Sequence, residues 1–232
     1  MVAADGDRGA GVTVRGYFNE DLSPAELEHR TRVADDLTAD VRRLVSATVL
    51  TDTDDDSVAE ARRHIAAATA ALQRRTLDSD HFGIRYNSDG SRRHWGNAMV
   101  GRRNPIAPPM VLHHDAERTW AEFELGAQYE GPGGLVHGGV LACVLDQVLG
   151  SAAEHAGAPG MTGTLTIRYR RATPLGPVRA EGRLDRVEGI KSYATGSVST
   201  ADGVTVEAEG VFILPRWARA ADGDIRTAGG DA

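Results

Sequence analysis

The sequence predicts an α+β fold in which an antiparallel sheet curves around one central helix, with a helical extension ahead of it. Three observations carry this. Residues 131–157 contain Val140, Leu141, Ala142, Val144, Leu145, Val148 and Leu149, a run that reads as one helix starting near Gly139 and apolar on nearly every side. Four strand-like stretches follow, "MTGTLTIRYRR", "VRAEGRLDRV", "KSYATGSVST" and "VTVEAEGVFILP", and the short, turn-bearing connectors between them favour antiparallel neighbours. Ahead of all this, two Ser-to-Glu capping boxes each open a helical pattern. A helix that is apolar all round must be enclosed, and a curved sheet is the simplest enclosure.

The elements can be justified in order. Residues 1 to 20 are rich in Gly and Asp and read as a loose terminus. At "SPAE", Ser23 caps, Pro24 suits the first helical position and Glu26 closes the box. Val33, Leu37, Val41, Leu44, Val45 and Thr48 then recur every three or four residues, a stripe expected to pack on another surface. After the acidic run "TDTDDD", Ser57 and Glu60 are expected to open a second helix to about Arg75, burying Ile65, Ala68 and Leu72. Residues 76–108 lack periodicity and read as a long connection that serves as functional cover or is partly mobile. "MVLHHD" and "RTWAEFELGAQY" read as a strand pair ahead of the central helix. The expected organisation is an extension and linker over 1–90, the main domain over 91–216, and a flexible tail over 217–232.

Composition narrows the function classes. A net charge of -7 with scattered arginines offers no basic stripe for nucleic acid, and no apolar run approaches the roughly 20 residues of a membrane span. The start of the chain has no secretory pattern, so a cytoplasmic location is expected. A single cysteine, Cys143, excludes an internal disulfide, and its place on the apolar helix predicts a buried thiol. Lys191 is the one lysine among 26 basic residues.

Asp146 stands in the middle of the apolar helix. Burying a carboxylate costs several kcal/mol, and Asp146 lies about two turns inside, too far to act as a cap. Its readings are a functional carboxylate or a solvated face, the latter kept open by Gln147 and the small Cys143 and Gly150. Before it, "GPGG" and "HGG" provide tight turns, and Gly138 and Gly139 sit where the first helical amides are unpaired and the helix dipole is positive. Such amides can hold an oxyanion or a phosphate; the strand, GxGxxG turn and later acid of a dinucleotide site do not occur together here. Gly138 and Asp146 are eight residues apart, about 12 Å along a helix, too far to serve one carbonyl. Two antiparallel copies of the helix would bring one chain's amide beside the other's carboxylate, so a homodimer, or a dimer of dimers, is expected.

The "HGG" at His137 to Gly139, with Asp146 nine residues after the histidine and "GAPGMTGTLTIRYRRATPLGP" beyond it, resembles the PaaI-like hotdog-fold acyl-CoA thioesterases over about residues 100–215. The resemblance implies hydrolysis of acyl-CoA to free acid and CoA, with Asp146 as general base or nucleophile and the Gly138 amide as oxyanion donor. Thr162 matches a hydroxyl residue that orients the carboxylate or water, and His137 matches a histidine that shapes the glycine turn. Gly139, Arg170, Arg171 and Lys191 are the expected contacts to coenzyme A, which belongs to the substrate; no other cofactor is implied. No metal is expected, because no partner lies at zinc-site spacing from His137. The chain departs from the family in carrying Gly131 where relatives place Asn or Gln. Either Gln128 or Asn104 then fills that role, or the site binds thioesters with slow turnover. A hydratase or dehydratase using His137 and Asp146, and a non-catalytic acyl-CoA-binding or scaffold dimer, are the alternatives.

Overall fold

Serine and aspartate caps set where the two N-terminal helices begin. In the computed structural model, which describes residues 16–78 and 81–219, a short strand β1 (Tyr17–Asn19) leads into α1 (Pro24–Leu50). The Ser23 amide donates to the Glu26 carboxylate at 3.0 Å and the Glu26 amide donates back to Ser23 Oγ, the expected capping box. The second helix, α2 (Asp55–Leu72), is capped by Asp54 rather than Ser57, whose amide donates to Asp54 Oδ1 at 2.8 Å. Aspartate caps as well as serine and adds a negative charge at the positive end of the helix, so Asp54 of the acidic run takes the role.

The apolar stripe of α1 faces away from the protein. Its buried residues are Ala34 and Thr38, whereas Val33, Leu37, Leu44 and Val45 are exposed, and α2 buries nothing, leaving Ile65, Ala68 and Leu72 outside. The reason lies in the surface α1 meets. Thr38 Oγ1 donates to the Arg102 carbonyl at 2.8 Å, Arg42 Nε donates to the Ala107 carbonyl at 2.9 Å, and Arg102 pairs with Asp35. That loop presents backbone carbonyls, which polar side chains satisfy and apolar ones do not.

Residues 76–108 hold two strands, β2 (Ile84–Tyr86) and β3 (Arg92–Arg93), which join β1 in a three-stranded sheet. β1 and β2 are parallel, β2 and β3 antiparallel. This corrects the loose terminus expected for residues 16–20 and the irregular connection expected for 76–108. Arg93, buried, ties the sheet to the start of α1 by donating to Asn87 Oδ1 at 2.7 Å and the Glu20 carbonyl at 2.6 Å. Residues 1–15 and 220–232, which carry most of the expected loose terminus and tail, lie outside the described residues. The expected tail boundary at 217 cuts a short turn, Arg216–Ala218.

The main sheet follows the sequence closely. β4 (His113–His114) and β5 (Thr119–Leu125) precede α3 (Gly138–His155); β6 (Met161–Tyr169), β7 (Gly176–Glu188), β8 (Lys191–Thr200) and β9 (Gly203–Ile213) follow it. The order is β4-β5-β7-β8-β9-β6 with every neighbouring pair antiparallel, and α3 packs across β5 to β9 as the hotdog fold requires. Thr119, Ala121, Phe123 and Leu125 alternate inward along β5, the period of two that a half-covered strand imposes. Leu141, Val144, Leu145, Val148 and Leu149 fill the centre, each at most 2% exposed. Leu149 faces Gly182, Gly196 and Gly210 on three successive strands. At Gly196 a Cβ would lie 2.3 Å from the Glu181 carbonyl oxygen and 2.8 Å from Leu149, so glycine is what lets helix and sheet approach.

α3 is not apolar all round. Asp146, Gln147, Gly150, Ser151 and Glu154 form a stripe down one side, and Cys143 is exposed rather than buried. The sheet covers one side of the helix and leaves the rest uncovered. β6 is the end strand, its outer edge paired with nothing among the described residues, and seven of its nine residues are exposed. Among the described residues no helix is long and apolar enough to cross a membrane.

Candidate active site

The turn before α3 is built to present one amide. The Gly131 amide donates to the Leu135 carbonyl at 2.8 Å, the Gly134 amide to Glu130 Oε1 at 2.6 Å, and the Val136 amide to the Thr173 carbonyl at 2.9 Å. These bonds fold residues 130–137 so tightly that a Cβ on Gly131 would lie 2.8 Å from His137 Cα. Only glycine fits that path, which accounts for Gly131 where the resemblance leads one to expect Asn or Gln. His137 is the N-cap of α3, its Nδ1 accepting from the Gly139 amide at 3.0 Å. Accepting there assigns the ring proton of neutral His137 to Nε2. The Gly139 amide is thereby engaged. The Gly138 amide meets no acceptor among the described residues, while its carbonyl accepts from the Tyr169 hydroxyl at 2.8 Å. A free amide at a helix N-terminus is a ready donor to an oxyanion. It opens on a cavity of about 370 Å³ that Leu135, Leu141, Tyr169, Arg170 and Arg171 also line.

Asp146 faces a different cavity. Thr162 Oγ1 on β6 donates to Asp146 Oδ1 at 2.8 Å, so strand and helix together fix the carboxylate. No hydrogen bond reaches Oδ2 among the described residues, which leaves that oxygen free to accept a proton or to attack. Both side chains line a cavity of about 990 Å³ that runs along the polar stripe of α3. Asp146 is half-buried rather than enclosed in a fully apolar helix, so the face is solvated, and the carboxylate it carries is oriented by a hydroxyl.

The remaining expected residues divide between the two ends of β6. Arg170 pairs with Glu207 at 2.7 Å and Arg171 donates to the Asp202 and Val204 carbonyls at 2.9 and 3.0 Å, both beside Gly138. Lys191 pairs with Ile213, which pairs with Met161, at the Asp146 end. The eight steps along the strand from Met161 to Tyr169 span about 26 Å, so within one chain Lys191 and the two arginines do not grip the same phosphate. Asn104 is spent on its own loop, donating to the Gly96 carbonyl and accepting from the Ile106 amide. Gln128 Oε1 is buried without a partner, and neither residue lines either cavity. The sequence reading gave no role to Tyr169, whose hydroxyl fixes Gly138. It also missed Tyr17, Arg92, His94 and Trp217 in the Asp146 cavity, since nothing local in the sequence joins them.

Residues 133–207 match the Thioesterase superfamily. The crystal structure of a thioesterase superfamily protein is 33% identical to this chain and aligns with a TM-score of 0.68 over 78% of this chain and 94% of its own. The chain belongs to the thioesterase superfamily. A Bos taurus protein named acyl-coenzyme A thioesterase THEM4 is 36% identical over 104 residues, 44% of this chain and 43% of that protein. A Homo sapiens protein named acyl-coenzyme A thioesterase THEM5 is 35% identical over 94 residues, 39% of this chain and 38% of that protein. The chain therefore spans less than half the length of these curated relatives. The superfamily segment of this chain contains His137, Gly138, Asp146, Thr162 and Tyr169, whereas Tyr17, Arg92, His94 and Trp217 lie outside it.

Proposed function

We propose that this thioesterase superfamily chain hydrolyses acyl-CoA thioesters in composite sites of a homodimer. The observation that carries the reading is the separation of Gly138 and Asp146 into two cavities of one chain, about 12 Å apart along α3. Each cavity holds half of a hydrolytic site. If two copies pair antiparallel along the free edges of β6, centred near Leu165, Tyr169 of each comes opposite Met161 of the other. The Gly138 end of one protomer then meets the Asp146 end of its partner. The names of the curated relatives support the substrate class.

In that arrangement the substrate carbonyl oxygen points at the Gly138 amide, and Asp146 Oδ2 takes a proton from water as its oxygen attacks the carbonyl carbon. The developing oxyanion is held by an amide already in place, which requires little reorganisation. Collapse of the intermediate breaks the carbon–sulfur bond, and the CoA thiolate leaves and takes up a proton. Direct attack by Asp146 is the alternative use of the same oxygen. Thr162 is the positioning residue for the carboxylate and His137 for the glycine turn. Arg170 and Arg171, with Gly139 at the same helix end, would meet the CoA end, and the antiparallel pairing would bring Lys191 of the second copy toward that same end. None of these steps calls for a metal or a bound cofactor. The hydratase alternative would draw on the Nε2 proton of His137, since Nδ1 is committed to the turn, and turnover of an enoyl-CoA without thiol release would favour it.

A thiol-trapping assay across short, medium, long and aryl acyl-CoAs tests the reading. Release of free CoA in proportion to protein is the expected result for at least one class. Saturable binding without thiol release from any of them would replace the hydrolase with an acyl-CoA-binding dimer.

A further inference from the structure

The cavity beside Asp146 is walled partly by residues outside the superfamily segment. Tyr17 of β1, Ile84 of β2, Arg92 of β3, His94 and Trp217 close the side that the polar stripe of α3 leaves open. Its body is apolar, with Met161, Phe212, Leu214 and the Trp217 ring, which meets Tyr17 edge-on at a centroid distance of 6.3 Å. Its polar groups cluster. Arg92 Nη1 pairs with Glu154 Oε1 at 3.1 Å, so the two charges there answer each other and a carboxylate-ended ligand would have to displace Glu154.

Tyr17 and His94 both lie within the field of this pair. Burial raises the Tyr17 phenol above its ordinary value and lowers the His94 imidazole below its own, so both are neutral near neutral pH. Among the described residues no hydrogen bond reaches the Tyr17 hydroxyl or either ring nitrogen of His94. Half-buried polar groups without protein partners need water or ligand atoms to satisfy them. A plain alkyl end pushed among them would remove the water and leave both unpaired. An end carrying a neutral oxygen would satisfy them.

We infer that this cavity receives the acyl group and selects acyl groups whose far end bears a neutral hydrogen-bonding oxygen, a hydroxyl or keto group, recognised by Tyr17 and His94. The inference rests on the reading of Asp146 as the hydrolytic carboxylate. It makes the small N-terminal sheet a specificity element. A site whose donors and acceptors are arranged for an oxygen discriminates against the analogue that lacks it, because its own polar groups are then left unpaired.

Non-hydrolysable thioethers of CoA measure this without turnover. Calorimetry with the full chain compares a hexyl thioether with its ω-hydroxyhexyl counterpart, and a phenethyl thioether with its ring-hydroxylated counterpart. The expected result is that the hydroxylated member binds about tenfold more tightly in at least one pair, the pair showing whether a chain or a ring carries the oxygen. Tyr17→Phe and His94→Leu should each shrink that preference and together abolish it, while His94→Gln, which keeps a hydrogen-bonding group, should retain most of it. Equal affinities within both pairs, or a preference that survives both substitutions, would overturn the inference. Thiol release from acetyl-CoA by the wild type is read in parallel: release without discrimination among thioethers sinks the specificity pocket alone. Failure of every thioether to bind, together with no thiol release, sinks both it and the proposed function.

Discussion

Asp146→Asn is expected to lower kcat for acyl-CoA hydrolysis by about 10² or more, the scale of a lost acid-base group. Asparagine has nearly the volume of aspartate, and its Oδ1 still accepts from Thr162 Oγ1, the bond that spans 2.8 Å in the native protein. What the amide lacks is the free basic oxygen facing the cavity. The fold should persist, so thermal unfolding and circular dichroism should match the wild type while thiol release falls. A variant that hydrolyses acyl-CoA at the wild-type rate would move the chemistry away from Asp146.

Leu149→Ala should cost about 2–5 kcal/mol of stability, the range for truncating a large aliphatic side chain in a core. The residue is 0% exposed and fills the space opened by three glycines on β7, β8 and β9. Those strands are held by their own hydrogen bonds and cannot collapse onto the smaller side chain, so the cavity term applies in full. Urea unfolding followed by far-ultraviolet circular dichroism measures it. A loss well below 1 kcal/mol would mean that the glycine row and α3 are not packed as described.

The parts of the fold that were legible in the sequence are the long and periodic ones. α3 and β6 to β9 each carry enough residues for a pattern, and Ser23 with Glu26 marks a helix start by side-chain chemistry. β1, β2 and β3 have two or three residues each, too few for any period to register, so residues 76–108 read as irregular although they build a wall of the Asp146 cavity. The stripe on α1 misled for a different reason. Apolar periodicity shows that a face exists, not what it meets, and α1 instead uses Thr38 and Arg42 to meet backbone carbonyls. The extension therefore reaches the cavity through Tyr17 and Ile84, not through the stripe of Leu37 and Val45. Cys143 was misplaced because the helix looked apolar on every side, whereas the sheet covers only one of them.

For the site, the spacing of Gly138 and Asp146 already contained the argument for two chains, and the two separate cavities support it. The pairing of Thr162 with Asp146 was suggested by resemblance and could not be read from spacing, since 16 residues and a strand reversal lie between them. Tyr169 and His94 illustrate the limit: a lone aromatic or imidazole in a strand or loop has no local signature of what it will touch.

Complementation between two inactive chains tests the composite site most directly. Gly138→Pro removes the free amide at the first helical position, where proline is tolerated, and His137 before it already has the extended backbone (φ −61°, ψ 130°) that a residue preceding proline prefers. Paired with Asp146→Asn and assembled together in equal amounts, half the dimers are mixed, and each mixed dimer has one site with both lesions and one with neither. The account predicts that each variant alone is inactive and that the mixture recovers about a quarter of the wild-type thiol release per chain. If both groups act within one chain, every site in the mixture carries a lesion, and no recovery of activity on mixing would contradict the composite site.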